Sequence, residues 1–312
     1  MRILITGGAG FIGGHIARAL SKLGHNVVVV DNLKTGDLRN IPSNAQFENL
    51  TLGRDNIDHL FNFPFDSIIH FAGQSSVQLS YEDPVYDLDS NTRSTLTLLN
   101  LVYQRSPNAH FVYASTMSVY GGQGPFPKTE TMLPEGKNFY AIGKTASESY
   151  IRLYMTKGLN ATILRLFNIY GPGQNLSNLS QGMLSIYLAQ ALNSNQIVVK
   201  GPTNRTRDFL YVGDLVNTIL TINQCSKSYG HTFNLCSGVE TSVSQVISSI
   251  QSILQKELDI IELPGTPGDI PRMVGSNRKL YEAFPGLPLT SLSTGLKIMI
   301  DSFHNETYFS SL

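Results

Sequence analysis

A phenol and an ammonium group stand four positions apart near the middle of the chain, at Tyr140 and Lys144. This spacing places two side chains on the same face of an α-helix. A neighbouring cation favours the ionised form of a phenol, whose pKa is otherwise about 10. A phenolate can remove a hydroxyl proton while a hydride leaves the same carbon. We therefore predict that Tyr140 is a catalytic base whose pKa is lowered by Lys144; a surface tyrosine and lysine on a helix would show the same pattern.

Two hydroxyl side chains, Ser115 and Thr116, follow the apolar segment 109–114, which we predict to be a strand. Parallel sheets bind ligands at the carboxyl ends of their strands. Either hydroxyl could bridge a substrate hydroxyl and Tyr140 at that place. Ordinary turn chemistry is the alternative interpretation of these two residues.

A glycine-rich segment lies near the start of the chain, at residues 6–13 (TGGAGFIG). It follows an apolar strand and begins a helix, as in the turn that binds the pyrophosphate of a dinucleotide. Glycine allows the tight turn and the close approach of backbone to phosphate, and N–H groups of the helix N-terminus bind the anion. The alternative is a tight turn that binds no ligand.

Asp31 ends the second predicted strand, close to the interval of about 20 residues at which dinucleotide-binding folds carry an acid. A carboxylate there accepts a hydrogen bond from a free ribose 2′-hydroxyl and repels a 2′-phosphate. We therefore expect NAD rather than NADP. An oxidised nicotinamide would add to the effect of Lys144 on the phenol.

The first half of the sequence alternates apolar strand segments with segments of helical periodicity. Strands that are apolar on both faces are typical of a parallel sheet covered on both sides. Their alternation with helices favours an α/β fold with a doubly wound parallel (Rossmann) sheet. The predicted strands are 3–6, 27–30, 67–71, 109–114 and 162–166, and the predicted helices are 11–23, 88–103 and 147–155.

Beyond residue 170 the segments become shorter and richer in turn residues, as at 171–175. We predict a smaller α/β substrate-binding C-terminal lobe, interleaved with the first unit. The expected domains are an NAD-binding domain over 1–170 and a substrate lobe over 171–312. The predicted strands there are 196–200, 209–212 and 232–235, and the predicted helices are 183–192, 214–223 and 243–255.

The 312 residues carry 23 basic and 23 acidic side chains, so the formal net charge is zero. Nucleic-acid-binding proteins usually show a basic excess, so we expect no nucleic-acid partner. No segment has the pattern of a secretory signal or of a membrane-spanning helix. Cys225 and Cys236 lack the spacing of a zinc or redox motif. We therefore expect a cytoplasmic protein with no membrane partner, no disulfide and no metal site.

Several segments recur together in a known order. They are 6–13, Asp31-Asn32-Leu33, His70-Phe71-Ala72-Gly73, Ser115 with Val119-Tyr120-Gly121, Tyr140 with Lys144, Arg165 with Phe167-Asn168 and Tyr170-Gly171-Pro172, and Arg207-Asp208-Phe209 with Val212 and Asp214. This combination resembles the extended short-chain dehydrogenases/reductases that act on nucleotide sugars, and the UDP-glucose 4-epimerases in particular. The resemblance covers residues 1 to about 280. It implies NAD as the cofactor and a nucleoside-diphosphate sugar as the substrate.

The resemblance also implies roles for individual residues. Tyr140 would be the base, Lys144 its partner and a ribose ligand, and Thr116 the third catalytic residue. Arg207 would clamp the diphosphate, since a guanidinium matches phosphate oxygens; a pair with Asp208 is the alternative. The implied cofactor-binding residues are Gly7, Gly10, Phe11, Ile12, Gly13, Asp31, Asn32, Leu50, Phe71, Ala72, Gly73, Asn91, Ser115, Tyr140 and Lys144. The implied substrate-binding residues are Thr116, Tyr140, Asn168, Arg207 and Met273.

The sequence departs from the family pattern around the substrate and the adenine. Thr266, ahead of the Gly-Asp at 268–269, stands where many members carry a second diphosphate-binding Arg, and Arg272 is a candidate replacement. Leu50 falls close to where an acid commonly contacts the adenine. Met273 falls where side-chain size is thought to separate N-acetylated from plain hexoses, and a flexible methionine does not decide between them.

Met117 and Ser118 follow Thr116 where related 4,6-dehydratases carry Asp-Glu, and the Glu of related decarboxylases is missing from this stretch. The resemblance therefore favours reversible oxidation at one carbinol. We predict epimerisation at C4: Tyr140 takes the proton, a 4-keto sugar forms and turns about its diphosphate, and hydride returns to the other face, which regenerates NAD. A net dehydrogenase or 4-keto-reductase is the second hypothesis, and a non-catalytic nucleotide-binding protein is the third.

Two helices carry more apolar residues than one sheet face needs. These residues are Leu96, Leu98, Leu99 and Val102 on the first helix and Ile142, Ala146, Tyr150, Leu153 and Tyr154 on the second. In the resembling family these two helices form a four-helix-bundle dimer, so we expect a homodimer. Plain packing on the sheet is the alternative.

Overall fold

A computed structural model describes residues 1–176, 182–265 and 270–304 of the chain. The strands are β1 (Arg2–Thr6), β2 (Asn26–Asp31), β3 (Gln46–Asn49), β4 (Ser67–His70), β5 (His110–Thr116), β6 (Ala161–Leu166), β7 (Asn168–Tyr170), β8 (Gln196–Lys200), β9 (Thr206–Arg207), β10 (Phe209–Tyr211), β11 (Thr232–Leu235), β12 (Thr241–Ser242) and β13 (Asp259–Leu263). The α-helices are α1 (Phe11–Lys22), α2 (Val77–Glu82), α3 (Pro84–Leu88), α4 (Ser94–Arg105), α5 (Phe139–Thr156), α6 (Met183–Asn193), α7 (Val212–Asn223), α8 (Val243–Leu254), α9 (Arg278–Ala283) and α10 (Leu292–His304). A π-helical turn, Asp89–Arg93, joins α3 to α4.

Seven strands form one sheet in the order β11-β6-β5-β4-β1-β2-β3. Every neighbouring pair in this sheet is parallel. The predicted doubly wound parallel sheet is therefore confirmed. The strand order reverses between β1 and β4, and a sheet of this kind binds nucleotides in the crevice at that point.

The central strands bury both of their faces, which explains why their sequences are almost entirely apolar. Leu4 and Val28 face one core cluster together with residues of α4 and α5. Ile3, Ile5 and Val29 face the opposite cluster together with residues of α1 and α7. Successive strand residues point to opposite sides of a sheet, so each strand supplies both cores. The resulting double-sided packing holds the carboxyl ends of β1, β4 and β5 at one edge.

The part of the chain after residue 170 contributes to the large sheet and also forms a separate apolar cluster. Strand β11 extends the large sheet beside β6, and α7 packs with α1 over one face of it. A separate apolar cluster is formed by α6, β8, α8 and α10. This return of the chain to the large sheet accords with an interleaved lobe, and the division into domains at residue 170 stays a prediction.

Several elements differ from the sequence-based expectation. The predicted helix 88–103 extends from Pro84 to Arg105 and contains the π-helical turn. Helix α5 begins eight residues earlier than predicted, at Phe139. Strands β3 and β13 were not predicted because β3 has one apolar residue among four and every residue of β13 is exposed, so neither has a pattern typical of a buried strand.

Candidate active site

The turn between β1 and α1 is formed by backbone segments in close contact. Gly7 has a φ of +72°, and a Cβ atom there would lie 2.7 Å from the backbone nitrogen of Ala72. A Cβ atom on Gly13 would lie 2.1 Å from the carbonyl oxygen of Gly7. Gly10 contributes no side-chain cap to α1, so it leaves the N–H groups of the first helical turn, at Phe11 and beyond, available. The turn therefore fits a pyrophosphate held by backbone N–H groups.

Asp31 lies at the end of β2 and links this turn to the loop that follows. Its carboxylate accepts hydrogen bonds from the backbone nitrogens of Ala9 at 3.0 Å and Leu33 at 2.8 Å. The backbone nitrogen of Leu50 donates to the Asp31 carbonyl oxygen at 3.2 Å. Asn32 is exposed, and its side chain accepts from the Lys34 backbone nitrogen at 3.1 Å. The structure thus brings three of the predicted cofactor-binding residues, Asp31, Asn32 and Leu50, to one end of the crevice.

The loop after β4 lies against the glycine-rich turn. Phe71 donates its backbone N–H to the Thr6 carbonyl oxygen at 3.1 Å, and the Ala72 N–H donates to the Thr6 hydroxyl at 3.3 Å. Gly73 has a φ of +153°, and a Cβ atom there would lie 2.5 Å from the Asn91 side-chain oxygen. This oxygen is buried and has no hydrogen-bond partner in the described part of the chain. An acceptor of this kind fits a hydroxyl-bearing ligand in the crevice.

Tyr140 and Lys144 lie on the buried face of α5. The helix begins just before Tyr140 because the Asn138 side chain accepts a hydrogen bond from the Ala141 backbone nitrogen at 2.8 Å. The Lys144 ammonium donates to the Ala114 carbonyl oxygen at 3.0 Å and lies 6.0 Å from the centre of the Tyr140 ring. Thr116 ends β5 close enough to the Tyr140 phenol to affect its pKa. The structure therefore brings together the three residues that we predicted to be catalytic.

Burial controls the acidity of this pair. It raises the pKa of Tyr140 to about 12, and the nearby Thr116 hydroxyl opposes this only in part. It also lowers the pKa of Lys144 to about 8, although the Asp87 and Glu148 carboxylates favour the ammonium. Burial therefore dominates the acidity of the phenol in the protein by itself, and the expected lowering by Lys144 together with an oxidised nicotinamide stays a prediction.

Ser115 and Thr116 have different environments, because neighbouring strand residues point to opposite faces. The Ser115 hydroxyl donates to the Glu148 carboxylate at 2.6 Å. Glu148 is fully buried and pairs with Arg165 through two contacts, at 2.8 and 3.0 Å. Ser115 therefore supports an ion pair inside the protein, whereas the Thr116 hydroxyl accepts a hydrogen bond from the Ser118 backbone nitrogen at 3.2 Å.

Two predicted substrate residues, Asn168 and Arg207, begin β7 and end β9, respectively. The Asn168 side-chain nitrogen donates to the Asp208 carbonyl oxygen at 2.9 Å. Arg207 is 6% exposed, and one guanidinium nitrogen donates to the Thr206 carbonyl oxygen at 2.7 Å. The Asp208 carboxylate accepts from the backbone nitrogens of Ser237 at 2.7 Å, and also of Gly238 and Gly275. The Asp208 carboxylate thus accepts hydrogen bonds from backbone N–H groups and a serine hydroxyl, and the diphosphate role of Arg207 stays a prediction.

The remaining substrate candidates, Met273 and Arg272, differ in their burial. Met273 has no exposed surface and lies in an apolar cluster with Val119 and Phe167, so its contact with a sugar stays a prediction. Arg272 is half-exposed and forms an ion pair with Glu240 through two contacts at 2.8 Å. The positions 266 and 268–269 lie outside the described residues.

Sequence reasoning missed two buried carboxylates next to the catalytic candidates, Asp87 and Glu148. Asp87 is 1% exposed and lies four positions before Asn91, while Glu148 lies four positions after Lys144. The helical period alone would have placed each carboxylate on the same face as a predicted site residue. Their acidic character at such buried positions is the signal that could have identified them.

Three other features bear on the kind of site. Within the ranges given above, no group of three or more His, Cys, Asp or Glu side chains could hold a metal ion. Among the same residues no helix has both the length and the apolar composition needed to cross a membrane. Cys225 and Cys236 are both free thiols.

The fold and the arrangement around β5 define a class of enzymes, the extended short-chain dehydrogenases/reductases, which use NAD bound at the first turn of a doubly wound sheet. Comparison with known proteins is more specific. The chain belongs to the NAD dependent epimerase/dehydratase family, whose model matches residues 3–236.

Individual relatives are similar over almost the whole chain. The UDP-glucose 4-epimerase of Thermotoga maritima, solved with UDP-glucose, has a TM-score of 0.92 and 30% identity, covering 97% of this chain and 99% of that one. The UDP-glucose 4-epimerase of Thermus thermophilus, solved with NAD, has a TM-score of 0.89 and 31% identity, covering 98% of this chain and 100% of that one. UDP-glucuronic acid decarboxylase 1 of Xenopus tropicalis is 32% identical over 311 residues, 98% of this chain and 72% of the relative.

Proposed function

We propose that the protein interconverts the C4 epimers of a nucleoside-diphosphate hexose, with UDP-glucose and UDP-galactose as the substrate pair. The observation that carries the proposal is the convergence of Tyr140 and Lys144, on the buried face of α5, with Thr116 at the end of β5. A base and a hydroxyl relay support oxidation of a single carbinol. Met117 and Ser118, which follow Thr116, do not supply the acid that elimination needs. The two similar epimerase structures support the same reaction.

In this proposal the residues of the crevice act on the C4 hydroxyl. NAD supplies a reversible acceptor for the C4 hydride, and its oxidised ring carries a positive charge. Tyr140 removes the hydroxyl proton, with the Thr116 hydroxyl as the relay, and holds it while the sugar is a 4-ketone. The Lys144 ammonium stabilises the phenolate during this exchange. Tyr140 returns the proton after the sugar has presented its other face.

We assign cofactor binding to residues 1–170 and nucleotide-sugar binding to residues 171–312, with Asn168 at the junction. Arg207 and Asn168 would hold the diphosphate while the sugar turns. The parallel pairing of Asn168 with Phe209 supports this assignment, because it keeps the two residues at neighbouring strand ends. Arg272 lies near the same strands, through its backbone bridge to Thr206, and is a second candidate for the diphosphate.

A panel of nucleotide sugars tests the proposal. Purified protein is incubated with UDP-glucose, UDP-N-acetylglucosamine, UDP-glucuronic acid, and GDP-, dTDP- and CDP-linked hexoses, and the products are identified by NMR. We expect UDP-glucose and UDP-galactose to reach the same mixture from either side. Conversion of UDP-glucuronic acid to a pentose without epimerisation of any hexose would overturn the proposal in favour of decarboxylation.

We also propose that the protein is a homodimer formed around α4 and α5. Leu98, Leu99 and Val102 are fully buried and pack on the sheet, so these three residues of α4 do not form part of the proposed interface. The outer surface of α5 and its neighbours nevertheless exposes many apolar side chains. They are Val77, Tyr81, Val85, Leu88, Tyr103, Phe139, Ile142, Tyr150 and Leu153. A surface this apolar is typical of a protein–protein interface.

Charge on this surface is expected to separate the subunits. Ile142 is 55% exposed and Leu153 is 53% exposed, so glutamate at both positions would place two carboxylates in the interface without disturbing the core. Sedimentation velocity should show a dimer for the wild type and a monomer for the Ile142→Glu/Leu153→Glu variant. Leu23→Glu, at a position 57% exposed at the end of α1, is the matched control and should remain dimeric. A monomeric wild type would refute the dimer.

A further inference from the structure

A buried carboxylate lies behind the catalytic candidates and has no part in the proton transfers proposed above. Asp87 is on α3 and is 1% exposed. One of its oxygens accepts hydrogen bonds from the Gln74 side-chain nitrogen at 2.5 Å and from the Asn91 side-chain nitrogen at 3.0 Å. Both donors are neutral amides. A charged carboxylate is costly to bury when its hydrogen-bond donors are neutral, so its presence at this position needs an explanation.

The hydrogen bonds of Asp87 determine how the Asn91 amide is oriented. The Asn91 side-chain nitrogen donates to Asp87 and also to the Gln74 carbonyl oxygen at 3.0 Å. Because both acceptors lie on the nitrogen side, a flipped amide would place its oxygen against two other oxygens. The Asn91 oxygen is thereby held toward Gly73, where a Cβ atom would lie 2.5 Å from it and 3.5 Å from the Lys144 ammonium. An unpartnered acceptor and a cation thus border the same point of the crevice.

We propose that Asp87 is a positioning residue of the site, which holds the Asn91 oxygen toward the cofactor-binding crevice at Gly73 and balances the charge of the Lys144 ammonium. The proposal deepens the epimerase function proposed above, and its effect on turnover rests on that function. Asp87 itself touches neither a reacting atom nor the crevice, since two amides and the helix surround it.

The other ionisable groups that face Lys144 are less suited than Asp87 to balance the charge of its ammonium. Glu148 also faces Lys144, but its carboxylate is paired with the Arg165 guanidinium at 2.8 Å. His70 faces Lys144 as well and stays neutral, because burial lowers its pKa to about 3. Asp87 also faces Tyr140, where its charge favours the protonated phenol. Asp87 therefore acts on both members of the catalytic pair, and in the same direction on each pKa.

Asp87→Asn removes the charge and keeps an oxygen that can accept both hydrogen bonds. Without the negative charge, the ammonium of Lys144 loses its proton more easily and the phenol of Tyr140 does too. Both limbs of the kcat pH profile should therefore move to lower pH, by about one unit. Asp87→Glu keeps the charge and should restore the wild-type profile. Asp87→Gln is the second uncharged variant if Asp87→Asn does not fold.

Asp214→Asn is the matched control, because Asp214 is also a buried carboxylate, 3% exposed, but lies away from the crevice. Its carboxylate accepts hydrogen bonds from the Thr290 backbone nitrogen at 2.7 Å and from the Thr290 hydroxyl at 2.8 Å. This variant should lower stability and leave the pH profile in place. A profile of Asp87→Asn that superimposes on that of the wild type would overturn the proposal.

A readout that does not depend on turnover separates the two proposals. The Nζ nitrogen of Lys144 is titrated by NMR in isotope-labelled protein and assigned with Lys144→Met. A lower pKa of Lys144 in Asp87→Asn than in the wild type supports the role of Asp87, and an unchanged pKa rejects it. Absence of epimerase activity in the wild type would count against the proposed function alone, because the titration would still report on Asp87.

Discussion

Replacement of Tyr140 by phenylalanine is expected to lower kcat by about 10²–10⁴-fold, the usual contribution of a general acid–base residue. The ring keeps its place on the buried face of α5, so the fold and the binding of NAD should survive. What is lost is the phenol hydroxyl beside Thr116 and Lys144. Because Thr116 and Lys144 cannot hold the C4 proton in place of the phenol, KM should change far less than kcat. Steady-state kinetics with UDP-galactose give both parameters.

The control removes a tyrosine hydroxyl outside the crevice. Tyr281 donates its hydroxyl to the Pro288 carbonyl oxygen at 3.0 Å, so Tyr281→Phe removes a hydrogen bond without touching the site. It should keep the wild-type kcat. Retention of full activity in Tyr140→Phe would show that the phenol is not the base, and would revive the hypothesis of a non-catalytic binding protein.

Removal of the Glu148 carboxylate is expected to destabilise the protein by about 3–5 kcal/mol, because it leaves a buried guanidinium without its partner. Arg165 is 1% exposed and meets both carboxylate oxygens, and Ser115 donates to one of them. The free energy of unfolding of Glu148→Ala, measured by urea denaturation, gives the size of the loss. The carboxylate links Ser115 on β5 to Arg165 on β6 next to Thr116, so activity should fall as well.

The same variant has a defined dependence on pH. Arg165 and Ser115 hold the pKa of Glu148 below its ordinary value of 4.5. A carboxyl whose pKa is lowered by folding stabilises the protein above its unfolded-state pKa and loses this effect as the pH falls through the folded value. The stability difference between wild type and Glu148→Ala should therefore be full at neutral pH and shrink below pH 4.5.

An exposed pair serves as the comparison for Glu148. Arg278 and Glu282 are in contact at 2.6 Å, but their side chains are 82% and 62% exposed. Exposed pairs contribute about 0–1 kcal/mol, so Glu282→Ala should change the free energy of unfolding very little. If Glu148→Ala and Glu282→Ala lowered the free energy of unfolding equally, the Glu148 pair would not behave as a buried ion pair.

The large sheet could be predicted because its strands are apolar on both faces. The runs around Leu4 and Val28 have no other stable location than a sheet covered on both sides. Strand β3 and strand β13 escaped prediction because their residues are half-buried or exposed, so hydrophobic pattern carries little information there. The π-helical turn at Asp89–Arg93 also has no sequence signal of its own, since tertiary packing determines it.

The parts of the candidate site that depend on the spacing of residues within one element could be predicted. The glycine-rich turn and the pair Tyr140 and Lys144 each occupy a few consecutive positions of one element, and the structure places them at one edge of the sheet. The contacts of Ser115 and Asp87 depend on which way a strand residue points and on what packs behind it. The effect of burial on the acidity of Tyr140 could not be predicted for the same reason, because burial is a tertiary property.

The central claim is that the enzyme returns the hydride that it removes. The direct measurement follows UDP-galactose, UDP-glucose and NADH together during many turnovers of the purified enzyme loaded with NAD. We expect UDP-glucose to form in large molar excess over enzyme, with no net accumulation of NADH. Release of one NADH for each sugar converted would contradict the account and identify a net dehydrogenase in its place.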